Sequence, residues 1–475
     1  MNYEVVIGLE VHVELLTKTK LFCSCPNSFS MTPNENICEV CLGFPGTYPQ
    51  LNGNAVEVAL KACLALNCDI AMYSWFDRKH YFYPDIPKGY QISQYFVPLG
   101  NNGNLEVGTE EGDKKRVGIT RVHMEEDAGK LVHGISAGYS GADYNRAGVP
   151  LIEIVSEPEI RSPAEARSYL ENLKSTMQYA GVSDCKMEEG SLRCDANVSL
   201  RPAGTTAFGE KVELKNMNSF KAVEKALEYE VKRQSGILEN GEAVMPQTRR
   251  WEEGREETIL MREKLQANDY RCFVDTEVTP IQLSPSDIKR AEEELPEMAP
   301  ARVERYVEEY GLPRYDAEVL TSSKEVSDYF EACLKHYPEP KQVSNWIMSE
   351  FLMHLNAEGK GPFEVGFTPE YLAELLKLVD EGSISGKIGK EVLEKSFYRE
   401  KPPRQIVEEE GLVQISDRGE LEQLVERIIE ENPSSVEDYR NGKDKALKFL
   451  VGQVMKETRG KANPQLVNQL FMEKL

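Results

Sequence analysis

The stretch VIGLEVHVEL, residues 6–15, alternates apolar and polar side chains with a period of two. This period is typical of a β-strand, because successive side chains of a strand point to opposite faces of the sheet. One face of this strand is apolar and consists of Leu9, Val11, Val13 and Leu15. The other face is charged and consists of Glu10, His12 and Glu14. The stretch therefore predicts a strand with one buried face and one charged face.

Four further segments repeat this alternation: TRVHMEE (120–126), PLIEIVSE (150–157), LRCDANVSLR (192–201) and KVELK (211–215). Helical patterns around residues 162–180 and 219–235 interrupt them. Alternating strands mixed with a few helices are typical of an α+β domain built on an antiparallel sheet. We predict that this domain covers residues 1–292.

The rest of the chain changes to helical periodicity. Over residues 326–337, apolar residues recur at i, i+3, i+4, i+7, i+8 and i+11. A second helix is predicted for TPEYLAELLKLVDEG (368–382), with Thr368 as its expected cap. We predict an all-α helical domain over residues 293–402 and an all-α tail domain over residues 403–475. The tail is polarised in charge: residues 404–438 hold eleven acidic and three basic residues, and residues 439–461 hold seven basic and two acidic.

Composition and charge exclude several classes of protein. With 40% hydrophobic and 28% charged residues the chain is an ordinary globular one. An acidic N-terminus and the absence of an apolar run of about 18 residues give no sign of a signal peptide or membrane span, so we expect a cytoplasmic protein. The net charge of −23 argues against a general nucleic-acid coat, although a local basic patch can still bind.

The charged strand faces point to a nucleotide and a metal ion. Carboxylates brought within about 4 Å of each other repel by roughly 4 kcal/mol at an effective dielectric constant near 20. A shared face carrying Glu10, Glu125, Asp195 and Glu213 therefore predicts a cation such as Mg²⁺, and the arginines between them suit phosphate groups. The alternative is a sheet with one solvated face. No phosphate-binding loop of the G-x-x-x-x-G-K-[ST] type and no kinase motif set is present.

Four of the ten cysteines are clustered in the sequence. Cys23, Cys25, Cys38 and Cys41 form C-x-C, twelve residues, and C-x-x-C. Four thiolates at this spacing suit a closed, tetrahedral structural zinc site in the loop 23–41. The alternative is four reduced thiols, since a cytosolic chain is not expected to carry disulfides.

Residues 73–96, YSWFDRKHYFYPDIPKGYQISQYF, combine aromatic side chains with cations such as Arg78, Lys79 and Lys88. Aromatic stacking with neighbouring cations suits a base or a nucleotide ring. An aromatic core segment with a proline-rich turn is the alternative.

Several long motifs together resemble one known family. They are IGLEVHVEL, FDRKHYFYPDIPKGYQISQY, ITRVHMEEDAGK, DYNRAGVPLIEIVSEPEI, KMEEGSLRCDANVSLRP, ELKNMNSF, EEGLVQISD and VGQVMKETRGKANPQLVNQL. On these motifs the chain resembles, over essentially its whole length, the B subunits of the bacterial-type aspartyl/glutamyl-tRNA(Asn/Gln) amidotransferases (GatB).

The resemblance implies an architecture and a reaction. The N-terminal domain is expected to be a cradle similar to the glutamine synthetase and guanido kinase fold, followed by a helical domain and a YqeY-like tail that engage tRNA. The cradle is expected to use ATP and Mg²⁺ to phosphorylate the side-chain carboxylate of Glu-tRNA(Gln) or Asp-tRNA(Asn). Ammonia from an amidase-family glutaminase, the A subunit of the complex, then displaces phosphate, and a small C subunit supports the pair.

The same resemblance implies roles for particular residues. The expected Mg²⁺ ligands are Glu10, His12 and Glu125, which with Asp195 and Lys79 form the expected catalytic set. Contacts to the nucleotide or acyl group are expected from Glu189, Arg193, Glu213 and Lys215. The pocket or channel mouth is expected to be lined by Lys79, Tyr81, Asp85 and Lys88. The basic patch expected to bind tRNA consists of Lys443, Lys445, Lys448, Lys456, Arg459 and Lys461.

Two other functions compete with this interpretation. One is a stand-alone ATP-dependent carboxylate kinase or ligase acting on a small, specialised substrate, which would not need the basic segment 439–461. The other is a zinc-stabilised tRNA-binding scaffold, which would not need the clustered carboxylates.

Overall fold

The computed structural model describes residues 3–108, 113–136, 138–263, 271–412, 418–440, 443–458 and 462–475, and within these ranges the side chains of 135, 136, 420, 444, 464 and 465 are not described. The chain divides into two compact units, residues 1–298 and 299–475. No helix of the described residues is long and apolar enough to cross a membrane.

The first unit is built mainly of strands. In chain order they are β1 (Tyr3–Glu14), β2 (Asp69–Ile70), β3 (Tyr73–Ser74), β4 (Asp77–His80), β5 (Tyr90–Ser93), β6 (Gly100–Gly108), β7 (Lys114–Glu126), β8 (Lys130–Ser136), β9 (Tyr139–Asp143), β10 (Pro150–Ser156), β11 (Leu192–Pro202), β12 (Val212–Lys215), β13 (Gln247–Glu252), β14 (Glu257–Glu263), β15 (Arg271–Val274) and β16 (Ile281–Gln282). Its helices are α1 (Gly53–Ala65), α2 (Pro163–Tyr179), α3 (Phe220–Glu239) and α4 (Pro285–Glu294).

Twelve of these strands form one sheet with β1 near its middle. The order is β14-β13-β12-β11-β1-β10-β7-β5-β4-β15, and β6 extends the sheet from β7 and carries β2. Every pair is antiparallel except β12 and β13, which are parallel. The prediction of an antiparallel sheet therefore needs correction at this pair. The reason is that α3 lies between the two strands in sequence, and a crossover of this length allows parallel pairing.

The alternation in β1 separates a core from an open charged face. Ile7, Leu9, Val11 and Val13 are at most 1% exposed. They share one hydrophobic cluster with residues of α2 and α3, so these helices cover the apolar face of the sheet. Each helix starts at a serine cap: Ser162 accepts a hydrogen bond from the amide of Glu165, and Ser219 accepts one from that of Ala222. The charged face is left open on the other side of the sheet.

The second unit is helical, as predicted. Its helices are α5 (Ala299–Glu308), α6 (Arg314–Leu320), α7 (Lys324–His336), α8 (Pro340–Trp346), α9 (Leu352–Glu358), α10 (Pro369–Asp380), α11 (Gly386–Arg399), α12 (Pro403–Glu409), α13 (Arg418–Glu431), α14 (Pro433–Arg440), α15 (Asp444–Glu457) and α16 (Pro464–Lys474). A π-helical turn, Ile347–Phe351, joins α8 to α9.

The helical periodicity of residues 326–337 corresponds to α7. Tyr329, Phe330 and Cys333 are fully buried in a cluster that extends from Val303 to Val407. A separate cluster holds the buried residues of α13–α16, from Leu421 to Phe471. Thr368 occupies the predicted cap position of α10, but its side chain makes no capping hydrogen bond.

Candidate functional site

The charged faces of the strands line one cleft of about 930 Å³ in the first unit. A cleft of this size accommodates a nucleotide together with a second small group. Nine residues predicted for the site line it: Glu10, His12, Lys79, Tyr81, Glu125, Arg193, Asp195, Glu213 and Lys215. Strand alternation therefore placed these side chains on the face of the sheet that lines the cleft.

The strand register decides which of these side chains meet. On β1, His12 lies opposite Arg193 of β11 and opposite Glu153 of β10, and Glu153 in turn lies opposite His123 of β7. The four side chains form one row across the sheet. Side chains directly opposite each other have Cβ atoms about 4.5–5.5 Å apart, so each member of the row can contact the next.

Three members of the cleft can share one cation. The Nε2 atom of His12 lies 3.4 Å from Oε1 of Glu125 and 3.6 Å from Oε2 of Glu153. The potential ligand atoms of these three residues all lie within 4.8 Å of one another. Two carboxylates and an imidazole, with room for water beside them, are a donor set suited to a divalent cation.

Glu10 is not part of this three-residue cluster, although it was expected to be a ligand. Its Oε1 accepts a hydrogen bond of 2.9 Å from Nδ2 of Asn197. The register places Glu10 opposite Asp195 and Val155, one row away from Glu153. Its direct contact to the metal remains a prediction.

Glu153 and His123 are two residues of the cleft that sequence reasoning did not assign to the site. Oε2 of Glu153 lies 3.3 Å from Nε2 of His123, which also lies 3.7 Å from Oε2 of Glu125. The other ring nitrogen of His123 is buried without a hydrogen-bond partner. Both residues stood on the polar faces of their strands in the sequence, but alternation alone did not pair them with His12.

Electrostatics keep the two carboxylates ionised. Burial opposes ionisation of Glu125 and Glu153, but hydrogen bonds from His12 and His123 outweigh it and hold the pKa of both carboxyl groups below the usual range. Burial likewise opposes protonation of His12, yet hydrogen bonds to the two carboxylates raise its pKa to about 10. Without a cation His12 is therefore protonated, and it serves as a ligand only when a bound cation displaces this proton. The ionised carboxylate is the form that binds cations.

Lys215 of β12 places an ammonium group in the same cleft. Nζ of Lys215 contacts Asp195 and lies 3.0 Å from Oε1 of Glu213. Burial disfavours the charge on Lys215, but these two carboxylates raise its pKa. An ammonium held between two carboxylates stays charged and fixed in place.

Two arginines of the cleft keep unused hydrogen-bond donors. Nη2 of Arg193 lies 2.9 Å from Oδ2 of Asp127, which also pairs with Arg146 at 2.9 Å. The Nε atoms of Arg193 and Arg121 are buried and have no hydrogen-bond partner. Buried donors without partners cost free energy unless a ligand accepts their hydrogen bonds, so both are suited to phosphate oxygens.

Not every predicted residue reaches the cleft. Tyr81 lines it beside Lys79, whereas Lys88 pairs with Glu126 at 2.5 Å in a smaller pocket of about 70 Å³. Asp85 lines neither pocket. The side chain of Glu189 is 61% exposed and pairs with Lys186, outside the cleft.

The four clustered cysteines converge as predicted. Each of Cys23, Cys25, Cys38 and Cys41 offers a sulfur within 4.8 Å of the other three. Tetrahedral zinc with bonds of about 2.3 Å requires sulfurs about 3.8 Å apart, which this cluster can satisfy. Hydrogen bonding from Cys23 lowers the pKa of Cys41 to about 5, against the effect of burial, so this thiol is readily ionised.

The basic segment of the tail lies largely on α15. Lys443, Lys445, Lys448 and Lys456 are exposed, and Phe449, between two of them, is 47% exposed. Lys443 pairs with Asp438 at 2.9 Å, whereas Lys445, Lys448 and Lys456 form no ion pair with the described part of the chain. Arg459 and Lys461 lie outside the described residues.

Comparison with known proteins extends over the whole chain. The family described as the GatB/GatE catalytic domain matches residues 5–289, and that described as the GatB domain matches residues 328–475. The B subunit of the aspartyl/glutamyl-tRNA(Asn/Gln) amidotransferase of Carboxydothermus hydrogenoformans is 57% identical over 100% of this chain and 99% of its own length. Its counterparts from Caldanaerobacter subterraneus subsp. tengcongensis and Moorella thermoacetica are 58% and 57% identical, each over 100% of both chains.

Proposed function

The chain belongs to the family of aspartyl/glutamyl-tRNA(Asn/Gln) amidotransferase B subunits, and from this premise we propose that its cleft activates the side-chain carboxylate of Glu-tRNA(Gln) or Asp-tRNA(Asn) with ATP. A carboxylate oxygen attacks the γ-phosphorus of ATP, which yields an acyl phosphate and ADP. Ammonia then adds to the acyl carbon and phosphate leaves, so that the product is the amide. The donor set of the cleft, which fits a divalent cation, supports this reaction.

His12, Glu125 and Glu153 would hold Mg²⁺, and Glu10, which lines the same cleft one row away, would act on the ion through a bound water. Bound there, Mg²⁺ neutralises phosphate charge during transfer. The unused Nε donors of Arg121 and Arg193, together with Lys215, would bind phosphate oxygens. Asp195 and Glu213 keep Lys215 charged and fixed in position for this task.

Lys79 and Tyr81 would contact the acyl group from the wall of the cleft formed by β4. This assignment agrees with the strand order, because β10, β7 and β5 separate β4 from β1, the strand that carries His12. A residue on this wall approaches the substrate from the side opposite Arg193 and Lys215. Glu189 is not part of this set, because its side chain does not line the cleft.

We further propose zinc in the four-cysteine centre, where it would close the loop 23–41 as a structural element. A cradle of residues 1–292, a helical domain of residues 293–402 and a tail of residues 403–475 remain our division of the chain. Two separate hydrophobic clusters within residues 299–475 support the last boundary.

The tail and the partners complete the proposal. Lys445, Lys448 and Lys456, exposed and without described ion pairs, would bind the tRNA backbone, with Lys443, Arg459 and Lys461 nearby in sequence. The A subunit, an amidase-family glutaminase, would supply ammonia, and a small C subunit would support the complex. Aminoacyl-tRNA is a cytoplasmic substrate, so we place the complex in the cytoplasm.

The convergence of His12, Glu125 and Glu153 in a cleft with unused arginine donors carries this proposal. The test adds ATP, glutamine and mischarged tRNA to the chain purified with its glutaminase partner. We expect Glu125→Gln to lower amide formation and tRNA-dependent ADP release by at least about 100-fold. Glu157→Gln is the matched control, because Glu157 accepts a hydrogen bond from the hydroxyl of Thr120 and does not line the cleft. Equal rates for the two variants would reject the site, and ADP release with a free small carboxylate in place of tRNA would favour the small-molecule ligase.

A further inference from the structure

Lys20, which follows β1 and precedes the cysteine loop, is fully buried. Its Nζ atom donates hydrogen bonds to three backbone carbonyl oxygens, those of Asn36 at 2.7 Å, Ala147 at 2.7 Å and Tyr144 at 3.4 Å. Lysine is almost never fully buried unless its charge is paired, because an uncompensated ammonium loses its hydration. The carbonyls satisfy the donors of Lys20 but carry no net charge.

The group that can carry the compensating charge is Cys41. Its Sγ lies 3.9 Å from Nζ of Lys20, and no carboxylate of the described residues lies within ion-pair distance of that nitrogen. A cysteine sulfur becomes a full anion when it binds zinc. The burial of Lys20 is therefore best explained by a charged cysteine centre beside it.

The cysteine centre has the matching need for a cation. Four thiolates and one Zn²⁺ carry a net charge of about −2, which a buried site must offset with hydrogen bonds or cations. The amide of Cys38 donates to Sγ of Cys41 at 3.1 Å. Lys20 supplies the only full positive charge among the described groups in hydrogen-bond contact with these sulfurs.

The contacts of Lys20 also connect the cysteine loop to the cleft. Tyr144 and Ala147 flank Arg146, whose guanidinium pairs with Asp127. Asp127 in turn holds Arg193, one of the arginines with an unused donor. One buried ammonium thus contacts both the cysteine loop and the segment that carries Arg146.

We propose that Lys20 is a positioning residue of the metal centre: its ammonium is the counter-ion of the metal-bound sulfur of Cys41 and ties that centre to the loop 144–147. This inference rests on zinc occupancy, which belongs to the proposed function, and is independent of the amidation chemistry. Measuring the zinc content of the unaltered chain first separates the test of zinc occupancy from the test of Lys20. Absence of zinc rejects the zinc centre and this inference with it, whereas the variants below test Lys20 alone.

The test compares Lys20→Met, which keeps the length but removes the charge, with Lys18→Met, an exposed lysine of the same segment. Zinc affinity is measured on the full chain by competition with a chromophoric chelator. We expect Lys20→Met to weaken zinc binding by about 10–100-fold and Lys18→Met to leave it unchanged. Equal affinities for the two variants would overturn the inference.

Replacing zinc by cobalt gives an absorption spectrum that reports on the charge beside the sulfurs. This spectrum would not change if Lys20 only supported the fold. A cation beside sulfur stabilises its lone pairs, so we expect the sulfur-to-cobalt charge-transfer band to move to lower energy in Lys20→Met and not in Lys18→Met. If Lys20→Met fails to fold, Lys20→Arg and Lys20→Gln replace it, since they separate charge from size. If the inference is right, Lys20→Arg binds zinc more tightly than Lys20→Gln. If Lys20→Gln binds zinc as tightly as Lys20→Arg, or more tightly, the inference is wrong.

Discussion

His12 of β1 and Glu153 of β10 are direct cross-strand neighbours, and their Nε2 and Oε2 atoms lie 3.6 Å apart. The pair brings together two residues 141 positions apart in the sequence, which is the difference between 153 and 12. Because of this pairing, the imidazole of His12 and the carboxylate of Glu153 can contact the same cation.

Glu153 is expected to be as important for metal binding as Glu125. We expect Glu153→Gln to weaken Mn²⁺ binding by more than about 10-fold, because even residues that only support a ligand cost 10–100-fold when they are replaced. Isothermal titration of the full chain with Mn²⁺ measures the effect. Glu157→Gln, one residue beyond the end of β10, is expected to bind Mn²⁺ like the unaltered chain, and a loss in both variants would refute the assignment.

Arg193 is expected to bind ATP through its guanidinium group, whose Nε atom has no hydrogen-bond partner among the described residues. Arg193→Lys keeps the charge but loses the planar set of donors, so we expect the KM for ATP to rise about 10–100-fold, the equivalent of one or two charged hydrogen bonds. The control is Arg201→Lys on the same strand, where the guanidinium pairs with Glu4 away from the cleft. Similar KM values for the two variants would exclude a role for Arg193 in ATP binding.

Removal of one cysteine of the centre is expected to remove zinc. We expect Cys38→Ser to lower the zinc content from about one per chain to near zero and the unfolding midpoint by roughly 5 °C or more. Elemental analysis and thermal melting measure both quantities. Cys272→Ser is the control, because Cys272 lies on β15 outside the cluster. Zinc retained by Cys38→Ser would show that the four cysteines do not form the site.

The exposed lysines of α15 are expected to set the salt dependence of tRNA binding. Each phosphate contact contributes about one unit to the slope of log affinity against log salt, so Lys445→Ala with Lys448→Ala should lower the slope by about 2. Filter binding at several salt concentrations measures it, and Lys474→Ala, whose lysine pairs with Glu426, is the control. Phe449→Ala should instead weaken tRNA binding without changing the slope of log affinity against log salt, because stacking of an aromatic ring on a base releases no counter-ions. An unchanged slope in the double variant would remove this helix from the interface.

The pair between Arg302 and Asp328 is expected to give the second unit a pH dependence. Nη1 of Arg302 lies 2.7 Å from Oδ1 of Asp328. Burial opposes ionisation of Asp328, but hydrogen bonds from Lys324 and Arg302 outweigh it and lower its pKa. A lowered pKa means that the pair contributes stability above the unfolded-state pKa of about 3.9 and loses it as the pH falls through the lower folded-state value.

Asp328→Asn should therefore lower the unfolding midpoint at pH 7, and the difference from the unaltered chain should shrink below about pH 4. Thermal melting of the full chain at pH 7, 5 and 3.5 measures it. Asp316→Asn on α6 is the control, because Asp316 forms no ion pair with the described residues. A constant difference across this range would contradict the role of the pair.

Local pattern was sufficient for much of the site. Alternation placed Glu10, His12, Glu125 and Asp195 on one face of a sheet, and all four line the cleft. Spacing brought the four cysteines together, because nineteen residues hold them in one loop. The change to helical periodicity located the second unit. These inferences hold because each depends on residues that are near one another in the chain.

Pairing between distant strands could not be obtained in this way. Alternation shows on which side of a strand a residue lies, but strand order and register depend on contacts across the whole sheet. Register brought Glu153 and His123 to His12 and moved Glu10 one row away, and the crossover through α3 made one strand pair parallel. Glu189 fell outside the cleft because it lies in the turn before β11, where strand alternation no longer applies.

The sequence by itself therefore determined the composition of the charged face, the cysteine loop and the division into a strand-rich and a helical part, since these follow from local periodicity and spacing. Only the tertiary structure decided which charges share a cation and which arginines keep free donors. It also decided that Lys20 lies buried against Cys41. Such pairings arise from the packing of segments distant in sequence, and no local pattern encodes the separation of two atoms across a sheet.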